Sequence, residues 1–226
     1  MKSKIILKTA VDFVMTIALL LLMTYELIGQ ATHEWVGIGI FVLFILHHVL
    51  NGKWSRSLLK GRYTAPRIMQ TVLVAEVLLS MLGSMVSGVI LSRHALSFLS
   101  ISTGRSFARS LYMLSAYWGF AFMGLYLGFH WSTMMGLAGK LMKTPSETRK
   151  WILRGTALLI AGYGVYAFIK RDMGSYMLLK NQFVFFDFEE PLILFLLDYT
   201  AIMGLFVFIG HSSSLALKGF QKRKMK

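Results

Sequence analysis

Cysteine is absent from all 226 residues, and three kinds of chemistry are excluded with it. There can be no disulfide, no iron–sulfur cluster on thiolates and no covalent c-type haem attachment. Proline is nearly absent, with three in the chain. The long apolar runs therefore lack the breaks typical of small transporters, although Glu76 and Asp198 would be the residues such a reading used. Acidic residues are few, ten against 24 Lys and Arg. No P-loop, dinucleotide fingerprint or hydrolase nucleophile arrangement is present.

What fills the chain instead is apolar. Hydrophobic residues make up 56% of it and the mean hydropathy is +0.62, unlike a soluble globular domain. Six runs approach the length that spans a bilayer: Val11–Ile28, Trp35–Leu50, Ile68–Leu91, Leu111–His130, Trp151–Ile169 and Leu192–Gly210. Continuous runs satisfy their own backbone as helices, whereas barrel strands alternate. The expected fold is an all-α polytopic membrane bundle of six transmembrane helices, one integral-membrane domain over residues 1–226. The opening MKSKIILK resembles a secretory leader, but no small-residue cleavage site follows, so it is read as the start of an uncleaved first helix.

The net charge of +14 is distributed by side. Lys2, Lys4 and Lys8, the loop from Lys53 to Arg67, the loop from Lys140 to Arg154, and the tail from Lys218 to Lys226 fall on one side of a six-span topology. They hold 18 of the 24 basic residues. Arg93, Arg105, Arg109, Lys170, Arg171 and Lys180 fall on the other. This bias places both termini inside, in a cytoplasmic inner membrane. A basic tail on an anionic leaflet calls for the lipid bilayer as partner and for no nucleic acid.

Short turns join helices one and two into an antiparallel hairpin. Ser80, Gly83, Ser84, Ser87 and Gly88 on helix three are suited to close helix packing. Residues Ser92–Arg109 form an outer connection at the interface. Thr144-Pro145-Ser146-Glu147 reads as a helix start. The acidic aromatic segment FVFFDFEEP precedes helix six on the outside, either docking a partner or lying at the interface.

Histidine carries the chemistry. His33 and His47 sit fourteen residues apart on helix two, about 21 Å along the axis and within about 40° of one face. One imidazole thus lies near each surface of the slab, the arrangement used by two-haem membrane cytochromes. The topology puts His33 and His94 outside and His47, His48, His130 and His211 inside. His47 or His48 can meet His130, and His33 can meet His94 or a group at the outer end of helix four. Bis-histidine ligation leaves no open position on iron and favours electron transfer. Arg93, Arg105 and Arg109 outside, and Lys53 and Arg56 inside, are candidates for haem propionates, while ordinary positive flanking accounts for the inner pair equally well. His211 reads as interfacial. Asp12, Glu26, Glu76 and Asp198 are acidic groups within spans, where charge is expensive, and hydrogen bonding to a neighbouring helix is the favoured reading for Glu76 and Asp198.

The segments TYELIGQATHEWVGIGIFVLFILHHVLNGKW, SMVSGVILSR, LSAYWGFAFMGLYLGFHW and QFVFFDFEEPLILFLLDYTAIMGLFVFIGH resemble a bacterial family of flavinylation-associated membrane cytochromes. That family is related to the di-haem cytochrome b subunit of formate dehydrogenases. The resemblance covers nearly the whole chain. It implies haem b and electron transfer across the membrane toward extracytoplasmic flavoproteins, with a quinone as a further partner. It also implies an electron-transfer subunit rather than a stand-alone enzyme. His33, His47, His48 and His130 match histidines of the family pattern. Tyr112 and Tyr126, also fourteen residues apart, stand where family members commonly carry the opposite ligands. Tyrosinate holds ferrous haem poorly. Three arrangements stay open: an inner haem that uses His130, an outer haem completed by His94, or a haem-free scaffold or assembly protein of the same fold.

Overall fold

The computed structural model describes residues 2–52, 56, 63–99, 101–139, 147–181 and 183–224. Among them the regular structure is helical throughout, with no strand. The elements are α1 (Lys2–Leu22), α2 (Gln30–Leu50), α3 (Ala65–Leu91), α4 (Arg105–Gly139), α5 (Glu147–Lys170), the short α6 (Met173–Met177) and α7 (Leu192–Lys224). Single 3₁₀ turns lie at Tyr25–Leu27 and Ser97–Leu99. Thr144–Ser146 and most of the basic loop after α2 lie outside the described residues.

Each expected apolar run has its long helix, with shifted ends. α1 stops at Leu22 although the apolar run continues to Ile28, because Thr24 turns the chain: its buried hydroxyl donates to the Leu21 carbonyl at 2.6 Å. Gly29 then precedes α2 with φ of +82°, a left-handed conformation that glycine adopts without a Cβ penalty. α3 starts behind Thr64 with Pro66 in its first turn, where the missing N–H is no loss.

Among the described residues, four helices, α2, α3, α5 and α7, are long and apolar enough to cross a membrane. α4 has the length, 35 residues, but its composition is diluted, while α1 runs 21 residues with its apolar stretch following Lys8. α1 carries Lys2, Lys4, Lys8 and Asp12; α4 carries two arginines and several tyrosines and serines. Large apolar side chains such as Phe13, Val42, Leu79, Leu159 and Ile193 point outward from the bundle, as lipid-facing residues do.

α4 is the central element and packs most extensively on α3 and α7, with α5 against α7 and α1 against α2. Its contact with α7 is backbone to backbone. A Cβ on Gly128 would meet the Val207 carbonyl and the His211 nitrogen, and one on Gly210 would meet the Leu125 carbonyl. The main core joins Phe120 and Ala121 of α4, Tyr199 and Ile202 of α7, and Met173 and Tyr176 of α6. A second, smaller core belongs to the α1–α2 hairpin: Val11, Met15 and Ile40, reached by Met81 of α3.

The 171–191 connection folds back over one end of the bundle. Tyr176 stacks on Tyr117 at 5.0 Å, and Trp118 donates its indole N–H to the Met177 carbonyl at 2.9 Å. In the acidic aromatic segment Phe186 packs inward on Phe195, while Phe183, Phe185 and Phe188 are exposed.

Candidate functional site

The histidine positions fall at two levels of α1–α4. At the end expected to face outward, His33 is buried beneath the α1–α2 turn, and its Nε2 is hydrogen-bonded to the Tyr112 hydroxyl of α4 at 2.7 Å. Tyr25 meets the His33 ring edge-on at 4.9 Å. Burial, with Glu26 second, pushes the Tyr25 phenol above its ordinary pKa, so it stays protonated. His33 Nδ1 is buried and has no partner among the described residues.

The next residue, Glu34, organises this end. Its carboxylate accepts the Ser92 hydroxyl at 2.7 Å and the backbone N–H groups of Arg93, His94 and Ala95 at 2.8, 2.9 and 2.8 Å. Those amides lie just past the end of α3, in a turn where successive N–H groups point the same way and suit an anion. Glu34 therefore ties the outer connection to α2.

The outer candidates are thereby placed. His94 offers its backbone to Glu34 and is exposed. Arg105 donates to the carbonyls of Ile101 and Leu91, the latter at the end of α3, so its guanidinium serves the connection. Arg109 lies over the Phe183 ring at 5.2 Å. Arg93 is exposed.

At the other level, His47 Nδ1 is 2.7 Å from the Asp12 carboxylate of α1. Asn51, bonded to the Lys8 ammonium at 3.0 Å and to the His47 carbonyl at 3.0 Å, closes the ends of α1 and α2 around this pair. His48 turns away, donating from Nδ1 to the Phe44 carbonyl at 2.9 Å with its ring against Phe44. On α4, His130 Nε2 lies 3.3 Å from the Gln70 amide nitrogen of α3, and its ring meets Tyr126 at 4.7 Å.

The two levels differ in how their histidines are hydrogen-bonded. Iron between two axial ligands needs about 4 Å between the ligating atoms, from two bonds of about 2 Å. The outer pair, at 2.7 Å, is closed on itself and does not fit. At the inner level, a carboxylate on Nδ1 leaves Nε2 with the lone pair, the arrangement that supports metal-bound imidazoles elsewhere. Among the described residues no three of His, Asp and Glu converge into a metal-holding group, so a site of the zinc type is not formed there. A bis-imidazole haem needs only two.

A third polar cluster lies where α5, the 171–191 connection and α7 meet. Asp198, 1% exposed, accepts from the Tyr163 hydroxyl, Lys170 Nζ at 2.9 Å and Arg171 Nε at 2.8 Å. Arg171 also holds Glu190 through two bonds of 2.6 Å and lies over Phe195 at 4.6 Å. Two cations and two carboxylates balance, which bears out bonding to a neighbouring helix for Asp198. Glu76 is half-buried on α3. Glu34, Asn51 and Gln70 escaped the sequence reading. The one signal for Glu34 was its place beside His33, since a carboxylate near a helix start otherwise reads as a surface residue.

No known protein family, curated protein or solved structure matches this chain.

Proposed function

We propose that this protein is a b-type electron carrier of a bacterial cytoplasmic membrane, crossing it six times with both termini inside. It holds one haem b at the inner level between His47 of α2, with His48 beside it, and His130 of α4. Electrons pass from an inner donor or a quinone toward an extracytoplasmic redox flavoprotein. The observation that carries this reading is the Asp12 carboxylate on His47 Nδ1 at 2.7 Å. It selects the tautomer whose Nε2 is the ligating atom and raises that nitrogen's basicity. His130 Nε2 faces the Gln70 amide nitrogen at 3.3 Å, a contact that haem would displace, and Tyr126 packs edge-on against the His130 ring. When bound, haem supplies a one-electron redox centre.

The test is the dithionite-reduced minus oxidised spectrum of the detergent-purified protein, with haem quantified per chain. About one haem is expected in the wild type. His47→Ala and His130→Ala should each lose it, while His211→Ala keeps it. Unchanged haem in both alanine variants would sink the ligand assignment.

The His33–Tyr112 hydrogen bond favours a second reading, a haem-free scaffold in which tyrosine replaces a lost ligand and keeps the helices joined. That reading expects a colourless wild type, even when haem is ample. It further expects a double Tyr112→His and Tyr126→His variant to acquire haem absorbance.

A further inference from the structure

Midway between the two histidine levels, α1, α3 and α4 enclose a small cavity. It offers about 30 Å³ to water-sized solutes. By the same measure one water needs about 10–15 Å³. Ser80 and Ser84 of α3 and Ser115 of α4 line it, with Leu19, Met81 and Met123 among the apolar walls.

The hydroxyls distinguish this cavity from an ordinary packing void. Serines buried in helices commonly bond back to a carbonyl one turn earlier. Ser87 does so, donating to Gly83 at 2.6 Å, and so does Ser110, donating to Ser106. Ser80, Ser84 and Ser115 make no such bond among the described residues, although Ser80 and Ser115 are only 9% and 8% exposed. The helices approach closely on both sides of the gap. A Cβ on Gly83 would strike Ser115, and one on Gly119 would meet Ser80. The small-residue seam of α3 and α4 thus ends in a pocket with up to three unpaired hydroxyls, within the two to four partners a buried water takes.

We infer that this cavity is a binding site for ordered water, which joins Ser80 and Ser84 of α3 to Ser115 of α4 in the interior of the bundle. The site stands independently of haem. It gives the α3–α4 contact a hydrogen-bonded bridge where the side chains are too short to meet.

Radiolytic hydroxyl labelling of the full chain in lipid nanodiscs tests this, because a bound water generates radical next to the methionine sulfurs that face it. Met81 and Met123 face the cavity, while Met85, half-buried one turn along α3, and Met113, in the core, do not line it. Met81 and Met123 should label several-fold faster than both controls. A double Ser80→Ala and Ser115→Ala variant should bring them down to the rate of Met85 and leave the controls unchanged. Wild-type rates at Met81 and Met123 no faster than at Met85 overturn the proposal, and so do unchanged rates in the double variant. If that variant fails to fold, the wild-type comparison decides alone.

Discussion

Replacing Asp198 with asparagine keeps the shape of the side chain and removes one charge from a balanced cluster of four. Its three donors are unequal. Lys170 is 41% exposed on its side chain and recovers solvent readily, so its bond to Asp198 contributes little. Arg171 is 13% exposed and sits beneath Phe195, so its loss of a carboxylate is not made good by water. Breaking a buried ion pair from one side costs about 3–5 kcal/mol. Because Glu190 still holds Arg171, the lower end, about 3 kcal/mol, applies. For a chain of this length that corresponds to a Tm roughly 6–12 °C lower. The assay is thermal unfolding in detergent of Asp198→Asn, Arg171→Met and the double variant. The double variant should lose less than the two singles together by at least about 1 kcal/mol, since it removes both members of the pair. A shift below about 2 °C in Asp198→Asn, or strict additivity, would show that the cluster is solvated and that the argument from burial fails.

Two further outcomes follow from the packing. Glu34→Gln removes the negative charge that gathers three backbone N–H groups, so the amides of Arg93, His94 and Ala95 should exchange with solvent at least tenfold faster by hydrogen–deuterium exchange. Unchanged protection there would contradict the role given to this carboxylate. Gly128→Ala pushes a methyl group against the Val207 carbonyl and should cost about 1–3 kcal/mol by overpacking, read as a lowered Tm. Gly136→Ala on the same helix, where a Cβ meets nothing, is the control and should leave Tm unchanged.

The helices were legible in the sequence because each apolar run is long enough to dominate its own local structure. Their ends were less so: the break at Thr24 and the length of α4 depend on a hydroxyl-to-backbone bond and on tertiary packing. The structure brings His33 to Tyr112, a group at the end of α4 that counting residues along the helices places at the level of His33. The partners of the other histidines were hidden. Asp12 meets His47 across 35 residues and Gln70 meets His130 across 60, and no pattern along one chain encodes such pairings. Arg105's backbone partners were equally hidden: its guanidinium donates to the carbonyls of Ile101 and Leu91.

The two hydrophobic cores carry a mechanical consequence. α3, α4, α5 and α7 form one plate, locked by glycines that bring α4 and α7 into backbone contact. The α1–α2 hairpin has a core of its own and joins the main core at its turn, where Met23 is buried and Leu19 and Leu20 pack. Both histidine levels straddle the joint. His33 reaches from hairpin to plate through Tyr112, and the His47–Asp12 pair rides on the hairpin while His130 is fixed in the plate. A ligand gripped from both sides would clamp the joint, and its departure would leave the hairpin as the softest part of the molecule. If the proposed haem bridges His47 and His130, its loss would be felt first as loosening of the hairpin against the plate, before either unfolds.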